Sequence, residues 1–164
     1  MMSLMDERRP VRPLAARVAT LADVPTIAAL LHAFNVEFTE PSPGPLALAG
    51  RLSRLLAGDN TVALLAGEPT VGLALLTLRS NVWYDGPVAL IDELYVVPAM
   101  RAQGIGTDLL AFSFELLRSR GVELMEVNVD GEDRDARRFY ERHGFSCVDG
   151  DDAEPALYYS RELS

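Results

Sequence analysis

The chain has 164 residues, nearly half of them apolar, and a formal net charge of −9. That length and composition suit one packed domain with a single substantial core and exclude a disordered chain. The acidic balance excludes nonspecific nucleic-acid binding, no apolar run reaches the roughly 18 residues that span a bilayer, and a lone cysteine leaves no internal disulfide.

Residues 1–12 mix acids, bases and prolines without an apolar signal segment. They read as a loose arm ahead of one domain over 13–164, and a cytoplasmic location follows by default. The two histidines, His32 and His143, stand far apart without zinc-type spacing, so no metal site is expected. Cys147 follows Phe145 in an apolar stretch and is expected to be a small buried hydrophobe. The negative charge is compatible with a cationic substrate.

In chain order, residues 14–20 make a first strand. Thr20-Leu-Ala-Asp23 resembles a capping box opening a helix, with Pro25 near its start. Val24, Ile27, Leu30, Leu31 and Phe34 recur at helical spacing. Pro41-Ser-Pro-Gly-Pro45 is a loop, and a second helix follows over 46–57. Residues 61–66 and 71–78 read as a hairpin around Gly67-Glu-Pro69. Residues 81–87 turn again, and 88–97 form a third strand of this set. The clearest helix covers 104–120, where Ile105, Leu109, Phe112 and Leu116 form a stripe and Gly121 stops it. A strand over 124–129, a short helix over 135–143 and closing strands at 145–148 and 156–159 complete the order β-αα-βββ-α-β-α-ββ. The crossover from 88–97 to 124–129 through a helix implies a right-handed parallel pair. The fold class is therefore α/β, a mixed sheet with helices on both faces.

The stretch Leu94-Tyr-Val-Val-Pro-Ala-Met-Arg-Ala-Gln-Gly-Ile-Gly106 runs from a strand through a short loop into the long helix. A helix N-terminus offers unpaired N–H groups and partial positive charge, and glycines let backbone approach an anion closely. A pyrophosphate would suit the backbone of Gln103, Gly104, Ile105, Gly106 and Thr107. By themselves, these glycines serve equally to turn a corner. Neither a dinucleotide fingerprint nor a P-loop is present, because position 109 is Leu and no Gly-Lys-Ser/Thr occurs.

Val97-Pro-x-x-Arg101-x-x-Gly104-Ile-Gly106-x-x-Leu109-Leu resembles the acetyl-CoA signature of the GNAT superfamily, Arg/Gln-x-x-Gly-x-Gly/Ala. Ala136-Arg-Arg-Phe-Tyr140-Glu-Arg-His-Gly144-Phe145 resembles its second signature, a helix ending in Tyr-x-x-x-Gly-Phe. One helix and one strand separate the two, as in the family, and the resemblance covers residues 12–162. It implies acetyl-CoA as cosubstrate and a largely antiparallel sheet with one splayed parallel pair, 88–97 and 124–129, holding CoA in the gap. Backbone groups near Val96 and Val97 would pair with the pantetheine amides, and Arg101 belongs to the cofactor loop. The family often has Asn seven residues before the helix tyrosine; this chain has Asp133 there, with Asn128 near enough to substitute.

Acetyl transfer to an amine needs a base, an oxyanion donor and an acid. The resemblance makes Tyr140 the acid facing the CoA sulfur and places the oxyanion donor at a backbone N–H around Val96. Asp92 and Glu93 interrupt an apolar strand, where charges are costly unless exposed or used. Strand alternation points them in opposite directions. Asp92-Glu-Leu-Tyr95 is similar to the acidic pair of polyamine-acetylating relatives, which assigns the amine-facing acid to Asp92 ahead of Glu93. Trp83-Tyr84-Asp85 resembles their acceptor-side loop, or is an aromatic turn packed on the core. Arg134, Arg137, Arg138 and Arg142 form a solvated helix face or meet the 3′-phosphate side of CoA.

The expected activity is direct acetyl transfer from acetyl-CoA to a primary amine, of a small molecule or a peptide, in a ternary complex. A noncatalytic acyl-CoA sensor and an acetyltransferase acting on protein lysines or N-termini are the alternatives. No membrane or nucleic-acid partner is expected. Dimers are common in the family, with residues 157–161 the candidate strand for a homodimer.

Overall fold

In the computed structural model, which describes residues 15–150 and 153–163, five strands form one sheet. They are β1 (Ala16–Val18), β2 (Thr61–Ala66), β3 (Gly72–Arg79), β4 (Val88–Val96) and β5 (Leu124–Val127), lying side by side in sequence order. The pairs from β1 to β4 are antiparallel, and β4 and β5 are parallel. A parallel pair cannot be joined by a tight turn. Here α3 (Ile105–Ser119) makes the crossover. The other helices are α1 (Val24–Glu37), α2 (Pro45–Leu56) and α4 (Arg134–Arg142). The expected elements therefore appear through α4, with boundaries shifted by a few residues. The arm expected over 1–12 lies outside the described residues.

Both sheet faces are covered, which is why β2 and β3 read as continuous apolar runs rather than alternating ones. Leu64, Leu76, Ala89 and Ile91 pack with Leu109, Leu110 and Tyr140 from α3 and α4. Leu65, Leu73, Leu75 and Tyr95 pack with Ile27, Leu31 and Leu52 from α1 and α2. The start of α1 follows its sequence signal. Thr20 N–H donates to the Asp23 carboxylate at 2.8 Å, and Pro25 falls in the first helical turn, where no N–H is needed. Arg17 also donates two bonds to Asp23, holding that carboxyl far below the usual range.

Gly72 sets how closely α3 approaches the sheet. A Cβ there would meet Ile105 Cγ2 at 2.9 Å and Leu109 Cδ1 at 3.0 Å. Its missing side chain lets the first turn of α3 lie against β3, beside the end of β4.

The expected closing strands at 145–148 and 156–159 are absent among the described residues. Leu157, Tyr158 and Tyr159 are exposed, and Ala156 N–H donates to Cys147 O at 2.7 Å. The run between them, Asp149 to Pro155, carries Asp149, Asp151, Asp152 and Glu154. Closing a hairpin there would bring like charges together and require Pro155 beside a pairing strand. Cys147 is consequently exposed, not buried as expected, because its segment does not join the sheet.

Candidate active site

The site begins where the parallel pair parts. β5 pairs with β4 only from Val88 to Ile91, while β4 continues to Val96. Residues 92–96 therefore have a partner on the β3 side alone. Val97 N–H donates to Val71 O at 2.9 Å. Antiparallel ladders alternate, so the backbone groups of Leu94 and Val96 turn away from β3 into the gap. Val96 O is reached there by Arg101 Nε at 2.9 Å. The inward-turned amides are thus those of Leu94 and Val96. Val97, expected to share this role, spends its N–H on the β3 side.

At the end of this gap lies the N-terminus of α3. Gly104 caps it with φ +85°, a left-handed conformation that side chains resist. Asp108 N–H to Gly104 O, at 2.9 Å, is the first bond of the helical ladder. The amides of Ile105, Gly106 and Thr107 precede that ladder and carry the positive end of the helix dipole. Gln103 and Thr107 are exposed beside them. A Cβ on Gly106 would sit 3.5 Å from the Phe139 ring, an ordinary contact. The protein's own packing therefore does not demand glycine at 106, whereas an anion resting on these amides would.

Arg101, expected in the cofactor loop, is engaged by groups of the protein itself. Its Nη1 and Nη2 donate to Glu37 at 2.7 and 2.8 Å, and its Nε is spent on Val96 O. The fork of a guanidinium matches a carboxylate, and the last residue of α1 supplies one. Asp133 also takes a structural position: its Oδ1 accepts the Ala136 N–H at 2.9 Å and caps α4. Asn128 is exposed just past β5.

Alternation fails at Asp92 and Glu93. A bulge in the β3–β4 register pairs Leu75 with Glu93 and Leu76 with Ile91, leaving Asp92 as the extra residue. Glu93 therefore lies on the α1/α2 face with Leu75. Asp92 Oδ2 accepts from Thr77 Oγ1 at 2.5 Å, and Thr77 shares that face. The two acids, expected to point oppositely, stand side by side. Burial, and then the charge of Asp92, pushes Glu93 up to about 7. Partial burial raises Asp92 as well, opposed by its Thr77 bond.

Tyr140 is buried on the α3/α4 face, packed against Phe139 and Phe145. Its hydroxyl is pushed up to about 12, by burial first and then by the charges of Glu93 and Asp133. The charge of Glu93 is thus felt at Tyr140 from the other face of the sheet. The end of β4 combines a carboxylate that ionises near neutrality and backbone amides left without a β5 partner, with a phenol that keeps its proton on α4. The gap past the end of β5 leads to the anion-favouring N-terminus of α3.

Trp83, by contrast, is exposed on a turn held by Asn81 Oδ1, which accepts the N–H groups of Trp83 and Tyr84 at 2.8 Å each. Arg134, Arg137, Arg138 and Arg142 are exposed on α4. Sequence reasoning missed Glu37, Thr77 and Tyr95, whose roles depend on contacts between distant elements. The apolar run that contains Tyr95 gives no sign that its hydroxyl reaches Glu37 at 3.2 Å.

The sequence model of the Acetyltransferase (GNAT) family matches residues 27–145. An aminoalkylphosphonate N-acetyltransferase of Salmonella typhimurium (strain LT2) is 34% identical over 148 residues, covering 88% of this chain and 93% of its own. A crystal structure from Arthrobacter sp. FB24, assigned as an acetyltransferase, is 56% identical with a TM-score of 0.86, covering 96% of this chain and 100% of that one. An aminoglycoside acetyltransferase from a soil metagenome, crystallised with sisomicin, shares the fold at 21% identity and a TM-score of 0.74, covering 91% and 97% of the two chains.

Proposed function

This chain belongs to the GNAT acetyltransferase family, and from that premise we propose that it moves an acetyl group from acetyl-CoA to the primary amine of a small molecule by direct attack. One observation carries the reading: β4 runs on past its β5 partner, and the amides this leaves free lie ahead of the uncovered α3 N-terminus. The amides of Gly104 to Thr107 hold the pyrophosphate, and those of Leu94 and Val96 align the pantetheine as an added strand. Glu93, ahead of the Asp92 that the resemblance favoured, takes a proton from the acceptor's ammonium, directly or through a water, and the neutral amine so formed attacks the thioester carbonyl; Asp92 beside it keeps its affinity for protons high. A β4 amide near Val96 stabilises the charge that develops on the thioester oxygen. Tyr140 returns a proton to the departing thiolate. The small-molecule acceptor is supported by the aminoalkylphosphonate relative, which aligns over most of both chains.

Cofactor binding tests the first half of this account. Calorimetry should show acetyl-CoA binding by the native protein, with a rise in melting temperature, because only the folded chain presents these amides. Gly106→Val places a branched side chain at the anion's seat and should weaken binding at least tenfold, by about 1.4 kcal/mol or more. Unaltered affinity in a folded Gly106→Val protein would remove the α3 terminus from the cosubstrate site.

A further inference from the structure

We propose that Glu37 is a positioning residue for the pyrophosphate-binding turn, acting through Arg101; the proposal rests on the acetyl-CoA reading above. Three elements meet at this carboxylate. Glu37 ends α1, Tyr95 lies near the end of β4, and Arg101 sits in the loop before α3. Glu37 accepts from both terminal nitrogens of Arg101 at 2.7 and 2.8 Å and from Tyr95 Oη at 3.2 Å. The third face of the guanidinium donates to Val96 O at 2.9 Å, and its carbon lies 5.7 Å from the centre of the Tyr95 ring. That ring in turn packs on Phe34 of α1, with centroids 5.1 Å apart.

The position of this buckle gives it a function beyond stability. An ion pair this exposed contributes little to folding free energy. It does fix the loop at a fork three residues ahead of Gly104. That loop needs holding, since Ala102 has φ +58° and Gly104 has φ +85°. A non-glycine residue in the left-handed region persists only when its surroundings enforce it. With Glu37 in place, Arg101 is turned inward, and the anion is left to the backbone amides of the turn. Without it, the turn and the amides behind it lose their fixed angle toward the gap.

The opposite model has Arg101 leave Glu37 and bind the CoA phosphates itself. The two models predict different outcomes for Glu37→Gln. Under the positioning role, Glu37→Gln and Arg101→Gln should each weaken acetyl-CoA binding about tenfold, and the double variant no more than either alone. The loss should disappear with S-acetylpantetheine as donor, which has no pyrophosphate, and turnover at saturating acetyl-CoA should stay within about threefold of wild type. If Arg101 binds phosphate directly, Glu37→Gln frees it and leaves affinity unchanged or tighter, and that result overturns the proposal. So does an equal loss with both donors, the sign of general damage. Failure of the wild-type protein to bind acetyl-CoA at all strikes the proposed function instead, so the two failures are separate.

Discussion

Replacing Glu93 by Gln should lower turnover about 100-fold or more while leaving acetyl-CoA affinity nearly unchanged, the range for a lost general base. The side chain keeps its size and loses only its proton-accepting capacity. Burial and the neighbouring Asp92 put its titration at about 7, so the base is half ionised near neutrality. The wild-type rate should therefore rise as pH passes about 7, and this limb should vanish in the Gln variant. Asp92→Asn removes the like charge and should move the limb to lower pH. The same shift acts on stability. Glu93 holds its proton to about pH 7 when folded, whereas a glutamate in the unfolded chain releases it near about 4.3. Between those values the native state binds more protons than the unfolded one, so this group makes stability fall as pH rises. Gln does not titrate. The melting temperature of Glu93→Gln relative to wild type should thus climb from pH 5 to pH 8, as thermal denaturation at both pH values would measure. A rate profile unchanged by Glu93→Gln would remove this residue as the base.

Tyr140→Phe should lower the maximal rate on the order of 10- to 1000-fold, toward the range seen for a lost general acid. The ring keeps its packing against Phe139 and Phe145, so the protein should fold and bind acetyl-CoA as before. With its titration pushed up to about 12, the hydroxyl carries its proton throughout the working range and can give it up only as charge develops on sulfur. The interaction therefore strengthens toward the transition state, and the loss should fall on the rate constant rather than on affinity. A thiolate already leaves fairly well, its conjugate acid titrating near about 8.5, which favours the lower part of the range. Turnover equal to wild type in a folded Phe variant would return Tyr140 to the role of a packing aromatic.

Much of the architecture was legible because it is written in local signals. Helical spacing gave α1 and α3, the Thr20–Asp23 pair marked where α1 is entered, and the glycines at 104 and 106 marked where the loop after β4 turns into α3. The β4–β5 crossover followed from the elements alone. What could not be read has a common cause: it depends on pairing between distant segments. Alternation assigned Asp92 and Glu93 to opposite faces, yet the bulge beside Leu75 and Leu76 sets them together, and no residue in β4 announces that bulge. The motif set Arg101 in the cofactor loop, but nothing local shows which carboxylate its guanidinium meets. Its partner, Glu37, is 64 residues away. The tail around 156–159 has strand-like composition, but composition does not supply an edge to pair with.

The most direct test of the whole account is the release of free thiol from acetyl-CoA in the presence of a panel of amines, with mass spectrometry of the acceptor. Aminoalkylphosphonates, aminoglycosides, diamines, lysine-containing peptides and matched neutral alcohols form the panel. The account predicts amine-dependent thiol release with one small-molecule amine gaining a single acetyl group, and no reaction with the alcohols. Tight acetyl-CoA binding with no thiol released for any amine would contradict it and make the chain an acyl-CoA sensor.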